Sequence, residues 1–385
     1  MTRSPRYHET GKHSFFGDYV YDRIIPRDHF LVALNKLFPW DELAEAMIAL
    51  YRGKGLHGRP PYNPVLVFKM LLLSYLYNVS ERDIERLATY HLAMKWFLGL
   101  AVDEAPPDHS TLTKFKNRFV RRGNWVVLQN LFDGVIQQAV AHGLKLGDLQ
   151  LLDSVHTQAD VNNDKDRKRQ ELGQAARDPD ARVVHKGKRT VVEPDGKTAQ
   201  KVIRYNGYKV HVSVNAETGI VTTIHCTRGN AADNKAFPKV FSHDRDLGLP
   251  TKVYGGDRAY DDTDIYEYLD QARMRIGICL RDIRTSKKDG NKQRWIELQS
   301  SPDYQRAVAL RYRVEQPFGW AKHKHGFERC RYIGLARYRI QAFLTFLVTN
   351  CKRIVKLLTG LTLRSLAKGR RAEVFKPVYP CLPWA

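Results

Sequence analysis

Cysteine is scarce in this 385-residue chain: Cys226, Cys279, Cys330, Cys351 and Cys381 are widely spaced and form no CxxC pair. That excludes a zinc ribbon and a disulfide-built secreted scaffold, and the odd number fits a reducing compartment. Long apolar runs are also missing. Val65–Tyr77 is interrupted by Lys69, and Ile340–Cys351 stops at Lys352-Arg353. Both fall short of the ~18–20 residues a bilayer requires, so each is expected to be a buried helix, with no membrane as partner. The opening MTRSPRYHETGKHSF has no apolar stretch of the kind a secretory leader carries, and the expected location is cytoplasmic. Acids are in short supply: 41 Asp+Glu face 63 Lys+Arg, a formal net charge of +22. Hydrophobic residues, at 43%, are plentiful enough for a core and exclude wholesale disorder.

The shortage of acids is local. From Arg306 to Arg371 there are 16 Lys/Arg and two acids, Glu315 and Glu328. Basic residues alternate there with aromatics, as in Arg311-Tyr312-Arg313 and Arg337-Tyr338-Arg339. Such a field attracts polyanions through phosphate neutralisation and counterion release. The ordinary alternatives are a solvated helix face or an acidic protein partner.

Periodicity divides the chain. Residues 1–27 read as a polar and aromatic arm. Residues 28–147 read as short helices, with Asn63-Pro64 opening one, Ser80 capping another, and Pro106-Pro107-Asp108 a clear break. The helix Thr111–Arg122 carries Lys114, Lys116, Arg118, Arg121 and Arg122, and Ser80–Arg122 has a helix–turn–helix–helix rhythm. Residues 148–360 alternate strands and helices: a strand Leu149–Leu152 ending at Asp153, a hairpin Tyr208–Thr227, then a strand ending near Asp257. This is an α/β pattern with a mixed sheet. Residues 162–200, highly charged, read as an exposed insertion, and 361–385 as a tail.

Three acids stand out. Asp153 lies in LQLLDSVH, Asp257 in KVYGGDRAYDD, and Glu315 in the cationic stretch ALRYRVEQPFGWAKHK. Acids at strand ends are common ligand positions in α/β sheets. Three that converge can hold two divalent cations about 3.5–4 Å apart for phosphoryl transfer, and carboxylate oxygens suit Mg²⁺ or Mn²⁺. The bland alternative is solvated acids, with Glu315 paired to Arg311 or Lys322.

At this point the motifs meet a known family. RPPYNPVLVFKMLLLSYLYNVSERDIERLA, PPDHSTLTKFKNRF, YNGYKVHVSVNAETGIVT with TRGNAADNKAF, and RYIGLARYRIQAFLTFLVTNCKRI together resemble bacterial insertion-sequence transposases of the DDE type, in the branch called IS-five-like. The most specific match is Arg311, three residues, Glu315, six residues, Lys322, similar to the family's Tyr-x2-Arg-x3-Glu-x6-Lys pattern. Val308 stands at the tyrosine position, and Arg258-Ala259 stand where Lys-Gly is common. Pro317, two residues after Glu315, implies a kink or a helix that starts near Glu315.

The resemblance implies an RNase H-like fold, a mixed five-stranded sheet with flanking helices, preceded by an all-α DNA-binding domain. It implies Asp153, Asp257 and Glu315 as the catalytic, metal-binding triad, with two Mg²⁺ or Mn²⁺ ions per active site and Asp153 bridging them. Arg311 and Lys322 would hold phosphates near the scissile bond, and Lys114, Lys116, Arg118, Arg121 and Arg122 would contact DNA. The implied partner is double-stranded DNA, transposon ends and target, bound by a homodimer on the bacterial nucleoid, with no small-molecule cofactor. Other classes remain open: a catalytically inert DNA-binding regulator, or a structure-specific nuclease without strand transfer. Of the remaining residues, His156 reads as packed or solvated. His323 and His325 read as part of a DNA-facing surface, and Trp295 as either a base-stacking or a packing residue. Asp160 and Asp261 read as solvated or capping, and Asn230 and Asp233 as capping the helix after the hairpin.

Overall fold

The computed structural model describes residues 7–8, 10–11, 15–51, 60–192, 198–285 and 290–363. The tail beyond 363, and parts of the expected arm and of the Gly53–Pro64 loop, lie outside them. Helices come first: α1 Phe15–Ile24, α2 Phe30–Leu37, α3 Trp40–Leu43, α4 Pro64–Leu76, α5 Glu81–Tyr90, α6 Leu92–Leu98, α7 His109–Val120 and α8 Val126–Ala141. The capping logic of the sequence holds locally. Asn63 Oδ1 accepts from the Val65 amide at 2.9 Å, with Pro64 in the first turn of α4. Ser80 Oγ accepts from the Asp83 amide at 3.1 Å, and Asp108 Oδ1 accepts from the Ser110 amide at 2.7 Å. Apart from Lys69 every residue of α4 is buried, so this helix is the axis of the bundle. No helix among the described residues is long and apolar enough to cross a membrane.

The remainder runs β1 Leu149–Gln158, α9 Asn163–Glu171, β2 Arg182–Val192, β3 Thr198–Asn215, β4 Val221–Arg228, α10 Asp233–Asp246, β5 Val253–Gly256, α11 Thr263–Gln271, β6 Arg275–Ile278, α12 Lys292–Ser300, α13 Pro302–Leu310, α14 Glu315–His325 and α15 Leu335–Thr359. β3 is antiparallel to β1 and to β4, while β1, β5 and β6 are parallel. The order β4-β3-β1-β5-β6 is the RNase H-like arrangement. β2 adds a sixth strand by pairing with the first half of β3. The charged stretch read as an insertion thus contains α9 and β2. β1 does not end at Asp153 but runs five residues on, because β3 pairs with it as far as Gln158.

One element joins the two parts. The 25-residue α15 packs on α2, α4, α7 and α8 and equally on β3, β4 and α14. Asn350 fixes it to the sheet: its Oδ1 accepts from the Val221 amide at 3.0 Å and its Nδ2 donates to the Val221 carbonyl at 2.7 Å. A single apolar cluster therefore runs from Phe30 through Phe68, Leu112 and Phe132 to Leu149, Val212 and Phe346. A second, smaller one lies across the sheet around Phe237, Tyr254 and Ile265.

His325 is not surface, as the sequence suggested, but 1% exposed. Its Nδ1 donates to the Tyr75 carbonyl at 2.9 Å, and Lys352 Nζ lies 3.4 Å from its Nε2. Burial, with the Lys352 ammonium beside it, pushes its pKa down to about 3. The fold keeps this imidazole neutral, whereas the unfolded chain protonates it near pH 6.5. Its share of stability is full above that pH and drains as pH falls toward 3. Replacing His325 with Gln is expected to shrink the stability difference between pH 7.5 and 4.5 by about 2 kcal/mol, read from urea unfolding at both pH values.

Candidate active site

Asp153 and Asp257 come from adjacent parallel strands. β1 and β5 pair from Leu149↔Val253 to Leu152↔Gly256, so each acid is the next residue after the last paired position. β1 continues there while β5 turns away, and the crevice so opened is where α/β sheets place ligands. Asp257 caps the 3₁₀ turn Arg258–Tyr260, accepting from the Ala259 amide at 2.9 Å. Asp153 is partly buried and accepts from the Ser154 amide at 2.7 Å. Burial pushes its carboxyl up to about 7; the nearby Asp257 and Asp233 add to the shift, and the Ser154 amide and the Arg311 guanidinium oppose it.

Glycine brings the third acid's segment close. A Cβ on Gly277 would run into Ala307, and one on Gly255 would meet Leu151 at 2.9 Å. α13 therefore lies directly on β5 and β6, and an ion pair between Arg306 and Asp148 anchors it. The chain then makes a 3₁₀ turn, Arg311–Val314, that packs on β1. Glu315 follows as the first residue of α14. Pro317 sits in the first turn, where no intrahelical N–H is lost, so the helix starts at Glu315 instead of kinking. Lys322 lies seven residues on, nearly two full turns, on the same face as Glu315.

The structure thus brings Asp153, Asp257 and Arg311 into one electrostatic neighbourhood, while Glu315 is exposed at the start of α14. The three acids are not gathered into a tight trio. Among the described residues, the one trio of metal-ligating side chains with ligand atoms within 4.8 Å of one another is Glu85, Asp108 and His109. That trio caps α7: Glu85 Oε2 accepts from the His109 amide at 2.9 Å and lies 2.7 Å from His109 Nδ1. At the crevice, burial is the main reason the Asp153 carboxyl holds its proton, and the Asp257 and Asp233 charges add to it against Arg311. A desolvated carboxylate beside a second one fits a hard divalent cation.

Several neighbours were not anticipated from the sequence. Asp233 does not cap α10, whose N-cap is Ala232. It lies 3.1 Å from Lys209 Nζ and 3.1 Å from His211 Nδ1. Burial works to raise its pKa, but bonds from His211 and Ser154 and the Lys209 charge hold it well below the usual carboxylate range. Lys209 and His211 stand two apart on one face of β3, and that spacing beside a downstream acid was the available signal. Cys279, just past β6, donates its amide to the Gly256 carbonyl at 3.0 Å, and Asp257 and Arg311 act electrostatically on its thiol.

The basic helix is partly spent on packing. Lys116 pairs with Glu81 and lies 4.4 Å over the Tyr332 ring, while Arg118 lies 4.0 Å over Tyr51 and donates to the Leu50 carbonyl at 3.3 Å. Lys114 and Arg121 are exposed; the Arg122 side chain lies outside what the structure describes. Trp295 is 3% exposed, 5.2 Å from the Tyr266 ring, so it packs and cannot stack on a base. Asp261 is not solvated: it ends the 3₁₀ turn Arg258–Tyr260 as its C-cap, and its side chain is buried and pairs with Arg284 at 3.0 Å and Tyr266 at 2.8 Å. Asp160 stays partly exposed, 3.6 Å from Arg329.

Two family models match the chain. One described as "Transposase domain (DUF772)" covers residues 19–118, and one described as "Transposase DDE domain" covers residues 171–351. The second span includes Asp257 and Glu315, while Asp153 precedes it. Among solved structures, a piggyBac transposase synaptic complex with hairpin DNA matches with a TM-score of 0.41 at 11% identity, over 88% of this chain and 76% of that one. A Mos1 transposase paired-end complex with left transposon end matches with a TM-score of 0.20 at 9% identity, over 68% of this chain and 79% of that one.

Proposed function

Because the chain belongs to the insertion-sequence DDE transposase family, we propose that it cuts the ends of its own element and joins the freed 3′ ends to target DNA. The observation that carries this reading is that Asp153 and Asp257 each follow the last paired position of β1 and β5, with Arg311 in their electrostatic neighbourhood. Asp153, Asp257 and Glu315 would hold the two Mg²⁺ or Mn²⁺ ions. Such ions, when bound, activate the attacking oxygen and stabilise the leaving 3′-oxygen. The chain's own groups do the rest. Arg311 offers a guanidinium to a phosphate entering the crevice, and Lys322 a second cation on the face of Glu315. The Lys209–His211–Asp233 cluster supports Ser154, and through it the backbone that carries Asp153. Double-stranded DNA is the substrate in this reading, and two ends must be brought together, so a dimer on DNA is the working form. The Arg311, Glu315 and Lys322 spacing supports placement in the IS-five-like branch.

The test is a strand cleavage and joining assay on a fragment carrying the element's terminal repeats, with Mg²⁺ or Mn²⁺. Joined product is expected from the parent and none from Asp257→Ala or Glu315→Ala. Cleavage without joining would make the protein a nuclease. A parent that binds ends and does neither would make it a regulator, and full activity in either variant would reject the triad.

A further inference from the structure

The sheet has an appendage that the transfer chemistry does not use. Up to Asn206, β3 is flanked: β1 pairs with Gly207–Asn215, and the Ala159 amide reaches the Asn206 carbonyl at 2.8 Å. Farther out, from Tyr205 back to Thr198, β3 pairs with β2 alone. Among the described residues neither outer edge of this two-stranded piece is paired with another strand. Eight residues of β3 at ~3.4 Å each make the free ribbon roughly 27 Å long. An isolated two-stranded ribbon is marginal in water, and stability normally requires a third partner.

Its sequence says what kind of partner. The paired segments 182–192 and 198–206 hold Arg182, Lys186, Lys188, Arg189, Lys201 and Arg204 and no Asp or Glu. Arg204 is exposed, as are Val183 and Val202. A second copy adding a strand at this edge would set cation against cation, which is unfavourable across strands. The edge is also interrupted by a register shift between His185 and Lys188, where Gly187 has φ +71°; such a bulge bends a ribbon and discourages strand addition. A phosphate-lined surface is complementary on both counts. The major groove of a duplex admits a two-stranded ribbon. The ribbon's base also lies near the chemistry: Gln158, opposite Gly207, is five residues along β1 from Asp153, roughly 17 Å. That is about half a turn of B-form duplex.

We propose that the β2–β3 ribbon is a DNA-binding arm that grips the duplex beside the catalytic crevice. This rests on the transposase reading and adds a surface to it. The test is equilibrium binding of the full-length protein to a labelled 40-base-pair duplex, followed by fluorescence anisotropy across a salt series. The test variant carries Lys188→Gln, Arg189→Gln, Lys201→Gln and Arg204→Gln. A control carries Lys188→Arg and Lys201→Arg. The slope of log affinity against log salt is expected to fall by up to about 3.6 in the neutralised variant, at ~0.9 per lost phosphate contact. Affinity near 0.15 M salt should fall at least about 10-fold. The control should match the parent, and both variants should keep the parent's thermal midpoint.

An unchanged slope in the neutralised variant overturns the proposal while leaving the transposase reading intact. A parent that does not bind duplex at all overturns both. Loss of self-association in that variant without DNA, seen by sedimentation, would make the ribbon a contact between copies and reject the DNA arm.

Discussion

Replacing Asp153 with Asn is expected to make the metal-free protein more stable at pH 8 and to abolish strand transfer. The two effects share one cause. The folded carboxyl has a pKa of about 7, against about 3.8 in the unfolded chain. Below about pH 4 it is protonated in both states and contributes nothing to the difference. As pH rises from 4 to 7 the unfolded chain ionises first, and folding pays to keep the proton or to bury the charge. Above pH 7 the full penalty persists, about 2–4 kcal/mol for a shift of this size. Asn has nearly the same shape, can still accept from the Ser154 amide and carries no charge. Urea unfolding of the metal-free proteins should therefore show Asp153→Asn ahead of the parent at pH 8, with the gap closing toward pH 4. Mg²⁺ should stabilise the parent and leave the variant unmoved. Transfer should fall about 10³-fold or more. A variant that is less stable than the parent at pH 8, or that still joins ends, would show that Asp153 is an ordinary structural acid.

The second large effect concerns how the chain divides. Phe343 on α15 is 3% exposed, with ring centroids 6.0 Å from Phe132 and 6.4 Å from Trp125, both from the helical half. Phe343→Ala is expected to cost about 3–5 kcal/mol. Because the same helix is bonded to β4 through Asn350, the loss should lower a single transition seen equally in helix and sheet signals. By the same reasoning a fragment ending at residue 147 lacks α15, leaves the buried faces of α4 and α8 without a cover, and should not unfold cooperatively. Two separated transitions in the full chain, with only the helical one shifted by Phe343→Ala, would show that the halves are independent. The boundary near residue 147 is therefore a change of secondary-structure class, and we propose that it is not a boundary of stability.

Much of this was legible in one dimension. Caps at Asn63, Ser80 and Asp108 act through neighbours two or three residues away, so the residues that specify them are visible together. The alternation of Tyr208, Val210, Val212 and Val214 marks a strand whose face is buried, and the acids at Asp153 and Asp257 mark the ends of two apolar runs. The Arg311–Glu315–Lys322 spacing follows a helical period. Where the sequence misled, the deciding partner lay far along the chain. Trp295 reads as a candidate stacking residue until Tyr266 is found against it. His325 reads as surface until Tyr75 and Lys352 enclose it. Lys116 reads as a DNA contact until Glu81 and Tyr332 claim it.

The sequence by itself determined the helical first part, the strand–helix alternation that follows and the cationic character of the chain, because periodicity, capping and charge are local properties. Only the tertiary structure decided which charges are available. Parallel pairing of β1 with β5 set Asp153 beside Asp257, and burial there raised its pKa. Packing of α13 on glycines brought Arg311 to them. Pairing of β2 with the outer half of β3 turned a charged stretch into a cationic ribbon. The reason is the same each time: desolvation and Coulomb energy depend on distance through space, and folding brings together residues that the sequence keeps apart, by more than a hundred positions between Asp153 and either Asp257 or Arg311.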